Sequence, residues 1–144
     1  MRSIGFKNRP YTGAVPHIVI EYSTNLESAC DPQQLVDDLH AAAVADGIGP
    51  LAGLRTRGAA RSVYQIADGD QRNAFVAIIA RIGPGREPAE KTRFLTALLD
   101  AAEASMVAAT DHYSIAFSCE VQEIDADFRV NRNYVAARLA DAPG

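Results

Sequence analysis

The stretch Asn73-Ala74-Phe75-Val76-Ala77-Ile78-Ile79-Ala80-Arg81-Ile82 (NAFVAIIARI) carries the strongest buried-strand pattern in the chain. It ends at Gly83-Pro84-Gly85-Arg86, after which Glu87-Pro88 places an acid before a proline at a first helical position. Phe94, Leu95, Leu98, Leu99, Ala102 and Met106 then recur at helical spacing, predicting a helix from Pro88 to about Ala109. A closing strand follows in SIAFSCEVQEI from Ser114. Ile115, Phe117, Cys119 and Val121 alternate inward against Ser118, Glu120 and Gln122.

The same order stands upstream. HIVIEY from His17 alternates Ile18, Ile20 and Tyr22 against Val19 and Glu21, directly after Pro16. Asp31-Pro32 repeats the acid-proline helix start, and Leu35, Val36, Leu39, Ala42 and Ala43 form one stripe that stops at Gly47. GIGPLAGLRTRG is loop-like up to Leu54, where a short strand places Arg55 and Arg57 on one face. SVYQIA (62–67) reads as a further short strand, Asp68-Gly69-Asp70 as a turn, and a hairpin across Gly69 is expected. Asp127 to Leu139 reads as a polar tail anchored by Phe128, Val130, Tyr134 and Val135. Strand, helix, strand thus occurs twice. The pattern predicts an α+β domain of duplicated β-α-β units, with a four-stranded sheet and both helices on one face. The uncovered face carries many apolar strand positions, so a homo-oligomer is expected.

At 144 residues and 15.4 kDa the chain has the size of one domain, which argues against a multidomain enzyme with its own cofactor-binding unit. Its net charge of -4 disfavours non-specific capture of nucleic acid. The charge is uneven: residues 1–15 hold Arg2, Lys7 and Arg9 and no acid, hence +3, which leaves -7 for the rest of the -4 total. Cys30 and Cys119 lack C-x-x-C spacing and read as plain thiols of a reducing compartment. No apolar run reaches the length of a membrane span, so a cytoplasmic protein without membrane or nucleic-acid partners is expected.

No metal-ligand cluster is visible: His17, His40 and His112 are scattered, and each reads as an ordinary structural histidine. Neither a G-x-S-x-G elbow nor a phosphate loop is present. Three arginines at the ends of elements remain. Arg86 is either a solvated residue beside a helix start or an anion clamp aided by the free N–H groups there. Arg55-x-Arg57 is either an exposed strand face or a bidentate site for a planar carboxylate.

Taken together, PHIVIEYSTNL from Pro16, GIGPLAGLRTR from Gly47, ADG from Ala67, AFV from Ala74 and RIGPGR from Arg81 resemble the 5-carboxymethyl-2-hydroxymuconate Δ-isomerases of the tautomerase superfamily. The resemblance runs from about Pro16 to Leu139, and several separate motifs occur in the expected order. It implies a homotrimer of tautomerase-like subunits that isomerise a 2-hydroxymuconate dienol without cofactor or metal, in the homoprotocatechuate route of aromatic-acid breakdown. It further implies Pro16 as catalytic base, and Arg55, Arg57 and Arg86 as ligands of a dicarboxylate or tricarboxylate substrate.

One departure matters chemically. Pro16 follows Val15, so as written its nitrogen is a tertiary amide without a basic lone pair. Two readings follow: residues 1–15 are a genuine N-terminal extension and this member is inactive or uses another group, or they are a start-site artefact. The second is expected, with Val15 as a start codon read as methionine and removed, leaving 16–144 as a single tautomerase-like domain. The competing functional classes are a tautomerase for another enol acid, such as a phenylpyruvate-like enol, and a non-catalytic trimer that binds small acids. A protein whose basic leader touches acidic lipid or nucleic acid is a weaker form of the latter.

Overall fold

The computed structural model describes residues 16–141. The basic leader and the expected start at Val15 lie outside the described residues.

Strand β1 (His17–Ser23) leads through a short 3-10 turn into helix α1 (Pro32–Asp46), and β2 (Arg55–Arg61) follows. Strand β3 (Asn73–Ile82), helix α2 (Pro88–Ser105) and β4 (Ser114–Glu123) repeat the arrangement, and a short helix α3 (Tyr134–Ala140) closes the chain. β1 pairs with β2 and β3 with β4 in parallel, while β1 and β3 meet antiparallel at the centre, giving the order β2-β1-β3-β4. Two β-α-β units therefore stand side by side, as the duplicated pattern predicts.

The helix boundaries follow from local chemistry. The Asp31 carboxylate accepts from the Gln33 N–H at 3.0 Å, Pro32 fills the first helical position, and Gly47 ends α1 in the left-handed conformation at φ 75°. α2 begins with a reciprocal capping box: the Glu87 side chain accepts from the backbone of Glu90, and the Glu87 N–H donates to Glu90 Oε1 at 2.9 Å. Its regular part ends at Ser105, short of the expected Ala109, and a 3-10 turn at Ala109–Asp111 carries the chain on to β4.

Both long helices cover one sheet face. Ile18, Ile20 and Tyr22 of β1 and Val76, Ile78, Ala80 and Ile82 of β3 are buried in one cluster with Leu35, Leu39, Phe94 and Leu98. Ile115, Phe117, Cys119 and Val121 pack against that cluster from the edge strand. The alternate residues, including His17, Val19, Glu21, Arg55, Arg57, Phe75, Ile79 and Arg81, belong to the opposite face, which carries neither of the two long helices.

Three expectations are corrected. Residues 62–67 are not a strand, and no hairpin crosses Gly69. The turn is real, with Gly69 at φ 81°, but β1 lies between the strands it joins, so β2 and β3 never pair. Phe128, Val130, Tyr134 and Val135 do not anchor the tail; they are 54–88% exposed. The C-terminal segment is tied instead by Asn133, whose Nδ2 donates to the Ala52 carbonyl at 2.8 Å. Among the described residues no helix is long and apolar enough to cross a membrane.

Phe94 and Val130 make a discriminating pair for this core. Phe94→Ala, which empties a fully buried site, is expected to cost about 3–5 kcal/mol in denaturant unfolding. Val130→Ala at an 85% exposed position is expected to stay within about 0.5 kcal/mol.

Candidate functional site

The central antiparallel pairing brings three strand ends together. His17 stands opposite Arg55 on one side and Arg81 on the other, so Arg55, His17, Arg81 and Gln122 form one row across the uncovered face. Arg57, Val19, Ile79 and Glu120 form the next. Pro16, fully buried, immediately precedes this point, and its carbonyl accepts from the Arg55 N–H at 3.1 Å. β3 leaves the sheet here and reaches Arg86 in four residues, through Ile82-Gly83-Pro84-Gly85. Arg86 is half-buried just ahead of α2.

The structure thus brings Pro16, Arg55 and Arg57 to one end of the sheet, with the Arg86 loop leaving from the same end. It also adds two residues that reading the sequence passed over. Arg81 is the last outward residue of β3 and lies beside His17, a position that only the β1–β3 register discloses. His17, read as an ordinary structural histidine, is 8% exposed and hydrogen-bonded through Nε2 to Arg55 Nη1 at 3.2 Å. The other two histidines stand apart: His40 bonds Thr56 through Nδ1 at 2.8 Å, and His112 is exposed.

Burial, together with the charges of Arg55, Arg129, Arg57 and Arg81 in that order, pushes the His17 pKa down from 6.5 to about 4. The ring is therefore neutral at neutral pH, and with Nε2 unprotonated it accepts the Arg55 hydrogen bond. Both thiols are unpaired; burial raises the pKa of Cys30, and burial with the nearby Glu120 raises that of Cys119 to about 12. Neither is activated as a nucleophile.

Charge is distributed unevenly between this end and the rest of the molecule. Arg61 pairs with Glu21 at 2.7 Å, Arg72 with Asp70 at 2.7 Å, Arg93 with Asp46 at 2.9 Å and Lys91 with Glu123 at 3.0 Å. Arg55, Arg57, Arg81, Arg86 and Arg129 form no ion pair among the described residues. Of these, Arg55, Arg57, Arg81 and Arg129 act together on His17, and such a cluster of unneutralised guanidinium groups against a buried strand end is suited to an anion with several carboxylates. A separate cavity of about 500 Å³ opens at the far end of the sheet, lined by Asn25, Tyr64, Asn73 and Tyr113 among others. Its acid, Asp70, is held well below the usual carboxylate range by Arg72, and no unpaired cation lines it.

The histidine yields a pH prediction. The unfolded chain protonates this ring near 6.5 and the folded chain only near 4, so its contribution is complete above pH 6.5 and is lost as pH falls towards 4. Solvent screening leaves the expected loss at roughly 2 kcal/mol. His17→Gln keeps an acceptor but does not titrate. Unfolding curves of the two proteins should coincide near pH 7.5 and diverge between pH 6.5 and 4, with the wild type losing more; parallel curves across that range would contradict the assignment.

Known proteins resemble this chain over most of its length. The family described as 5-carboxymethyl-2-hydroxymuconate isomerase matches residues 16–139. The 5-carboxymethyl-2-hydroxymuconate Delta-isomerase of Escherichia coli is 28% identical over 123 residues, 85% of this chain and 98% of that protein. A crystal structure of a 5-carboxymethyl-2-hydroxymuconate isomerase from Deinococcus radiodurans R1 superposes with a TM-score of 0.79 at 28% identity, over 90% of this chain and 97% of that one. A crystal structure of a 5-carboxymethyl-2-hydroxymuconate delta-isomerase reaches a TM-score of 0.84 at 21% identity over 93% and 99%, a likeness of fold. With its family match spanning the strand that Pro16 opens and every arginine of the cluster, this chain belongs to the 5-carboxymethyl-2-hydroxymuconate isomerase family.

Proposed function

We propose that the protein is a cofactor-independent isomerase of 5-carboxymethyl-2-hydroxymuconate or a similar 2-hydroxymuconate dienol, with Pro16 as the general base once its nitrogen is a free amine. The observation that carries this reading is the convergence of the Pro16 strand end with guanidinium groups that no carboxylate of the described chain neutralises. Family membership supplies the reaction class.

The chemistry balances without a redox partner. A dienol loses the proton of its 2-hydroxyl, the conjugated electrons shift, and a proton is returned to a ring-opened chain carbon to give an unsaturated 2-oxo acid. One base that takes up a proton and delivers it suffices. An α-amino group titrates at about 7.7–8.0 when unperturbed. Burial and neighbouring cations both disfavour its ammonium form, so an amine at Pro16 is drawn towards neutrality and is available as base. Arg55, with Arg57 and Arg86, binds substrate carboxylates and stabilises charge developing on the 2-oxygen, an interaction that strengthens towards the transition state.

A free amine at Pro16 is part of the proposal, with Val15 as the start whose removal exposes it. The sheet face away from the two long helices supports the further reading of a homotrimer: Val19, Phe75 and Ile79 lie on it with neither long helix above them. Val15 before Pro16 also favours a specific second reading, a small-acid-binding trimer in which the acylated proline has no catalytic part.

Assaying dienol isomerisation by the full chain and by a chain beginning at Pro16 separates these readings. The shorter chain is expected to turn over at least about a hundredfold faster, and N-terminal sequencing of protein from its native source should begin at Pro16. Activity in neither form would remove the isomerase reading, and a Pro16→Ala protein as active as wild type would remove the proline mechanism. Arg55→Ala in the active form should lower kcat/KM by roughly 10- to 100-fold.

A further inference from the structure

We propose that Arg129 is a specificity-determining residue that receives the third carboxylate of a tricarboxylate substrate, an inference that rests on the isomerase reading of the Pro16 site. Three observations converge on it.

The first is the path of the C-terminal segment. β4 is extended by the Ile124 N–H, which donates to the Ile82 carbonyl at 2.8 Å, at the end of the sheet where Pro16 lies. Nine residues later Asn133 is fastened to the Ala52 carbonyl, two residues before Leu54 leads into β2. In the strand order β2-β1-β3-β4 these two fastenings lie on opposite sides of β1. The segment between them therefore crosses the Pro16 end of the sheet, and Arg129 sits midway along the crossing.

The second is the state of its guanidinium group. Arg129 Nη1 is enclosed away from solvent and has no hydrogen-bond partner. The nearby acids on the same segment do not relieve it: the Asp125 carboxylate accepts from the Asp127 N–H, and neither acid pairs with Arg129. A buried donor of a charged group left unmade is costly, and an incoming carboxylate removes that cost at the moment of binding.

The third is its reach. Among the charges acting on His17, that of Arg129 is second only to that of Arg55 and exceeds those of Arg57 and Arg81, which lie in the sheet itself. Arg129 is thus electrostatically part of the cluster although it comes from a segment outside both β-α-β units. The dienol named by the family carries three carboxylates, the two termini of the muconate and the carboxymethyl arm. Arg55, Arg57 and Arg86 account for the termini and the 2-oxygen on the proposed mechanism, and the arm requires a further cation.

Isothermal titration of the full chain with propane-1,2,3-tricarboxylate and with pentanedioate tests this without reference to turnover. Wild type should bind the tricarboxylate more tightly. Arg129→Gln should weaken tricarboxylate binding by roughly 10- to 100-fold and pentanedioate binding by less than about threefold. Arg129→Lys should restore part of the difference, with thermal melts confirming a folded protein; if Arg129→Gln does not fold, Arg129→Lys against wild type reads the same difference. Equal losses for both acids, no loss, or a wild type that binds neither would overturn the proposal. In whichever form turns over, kcat/KM for the carboxymethyl dienol should fall selectively relative to 2-hydroxymuconate. Absent turnover with selective tricarboxylate binding retained would count against the isomerase reading alone and leave the assignment of Arg129 standing.

Discussion

The antiparallel pairing of β1 with β3 is the constraint from which the rest of the structure follows. Each β-α-β unit could form its own parallel pair, but a two-stranded parallel sheet under a single helix leaves both edges open and half a core. Joining the units through β1 and β3 puts Ile18, Ile20, Val76, Ile78 and Ala80 in one layer beneath both helices. The same register sets His17 against Arg81, so the beginning of the first unit lies at the end of the third strand. The residues proposed to act with Pro16 are therefore brought together by the joint between the halves, and neither half holds them alone.

Much of this layout is legible in the amino-acid sequence, because alternation and helical spacing report which face of an element is buried. The stripe on residues 88–106, the inward set of β4 and the acid-proline helix starts all read directly. Periodicity does not report which strand lies beside which. The turn at Gly69 is real, yet the hairpin expected across it fails because β1, more than forty residues upstream, occupies the position beside β3. Residues 62–67 likewise carry apolar side chains, yet they join none of the four strands of the described sheet.

The site divides along the same line. Arg55 and Arg57 are readable because a two-residue spacing on a strand places both on one face whatever lies nearby. Arg81 becomes part of the cluster only through the β1–β3 register, and Arg129 only through the crossing of the C-terminal segment. His17 has no distinguishing neighbour in sequence, and its importance lies in a bond to a residue 38 positions away. Apolar residues in the tail mislead for the opposite reason: hydrophobicity suggests anchoring, whereas the fastening is made by the amide of Asn133.

The contrast between His17 and Glu21 shows why a histidine is placed beside Arg55. Both stand on the uncovered face of β1 and both hold an arginine of β2, His17 through Arg55 and Glu21 through Arg61. Glu21 orients Arg61 with two hydrogen bonds to one oxygen and neutralises it in doing so. A neutral imidazole orients without neutralising: Nε2 accepts from Arg55 while the guanidinium keeps its full charge for a ligand. Burial first, and then the charges of the arginines around the ring, hold it in the unprotonated form that can accept. A carboxylate at position 17 would fix Arg55 more firmly and cancel the field on which the anion binding proposed at Pro16 depends. The weaker acceptor is therefore the one compatible with an Arg55 that is both positioned and charged, as the proposed anion site requires.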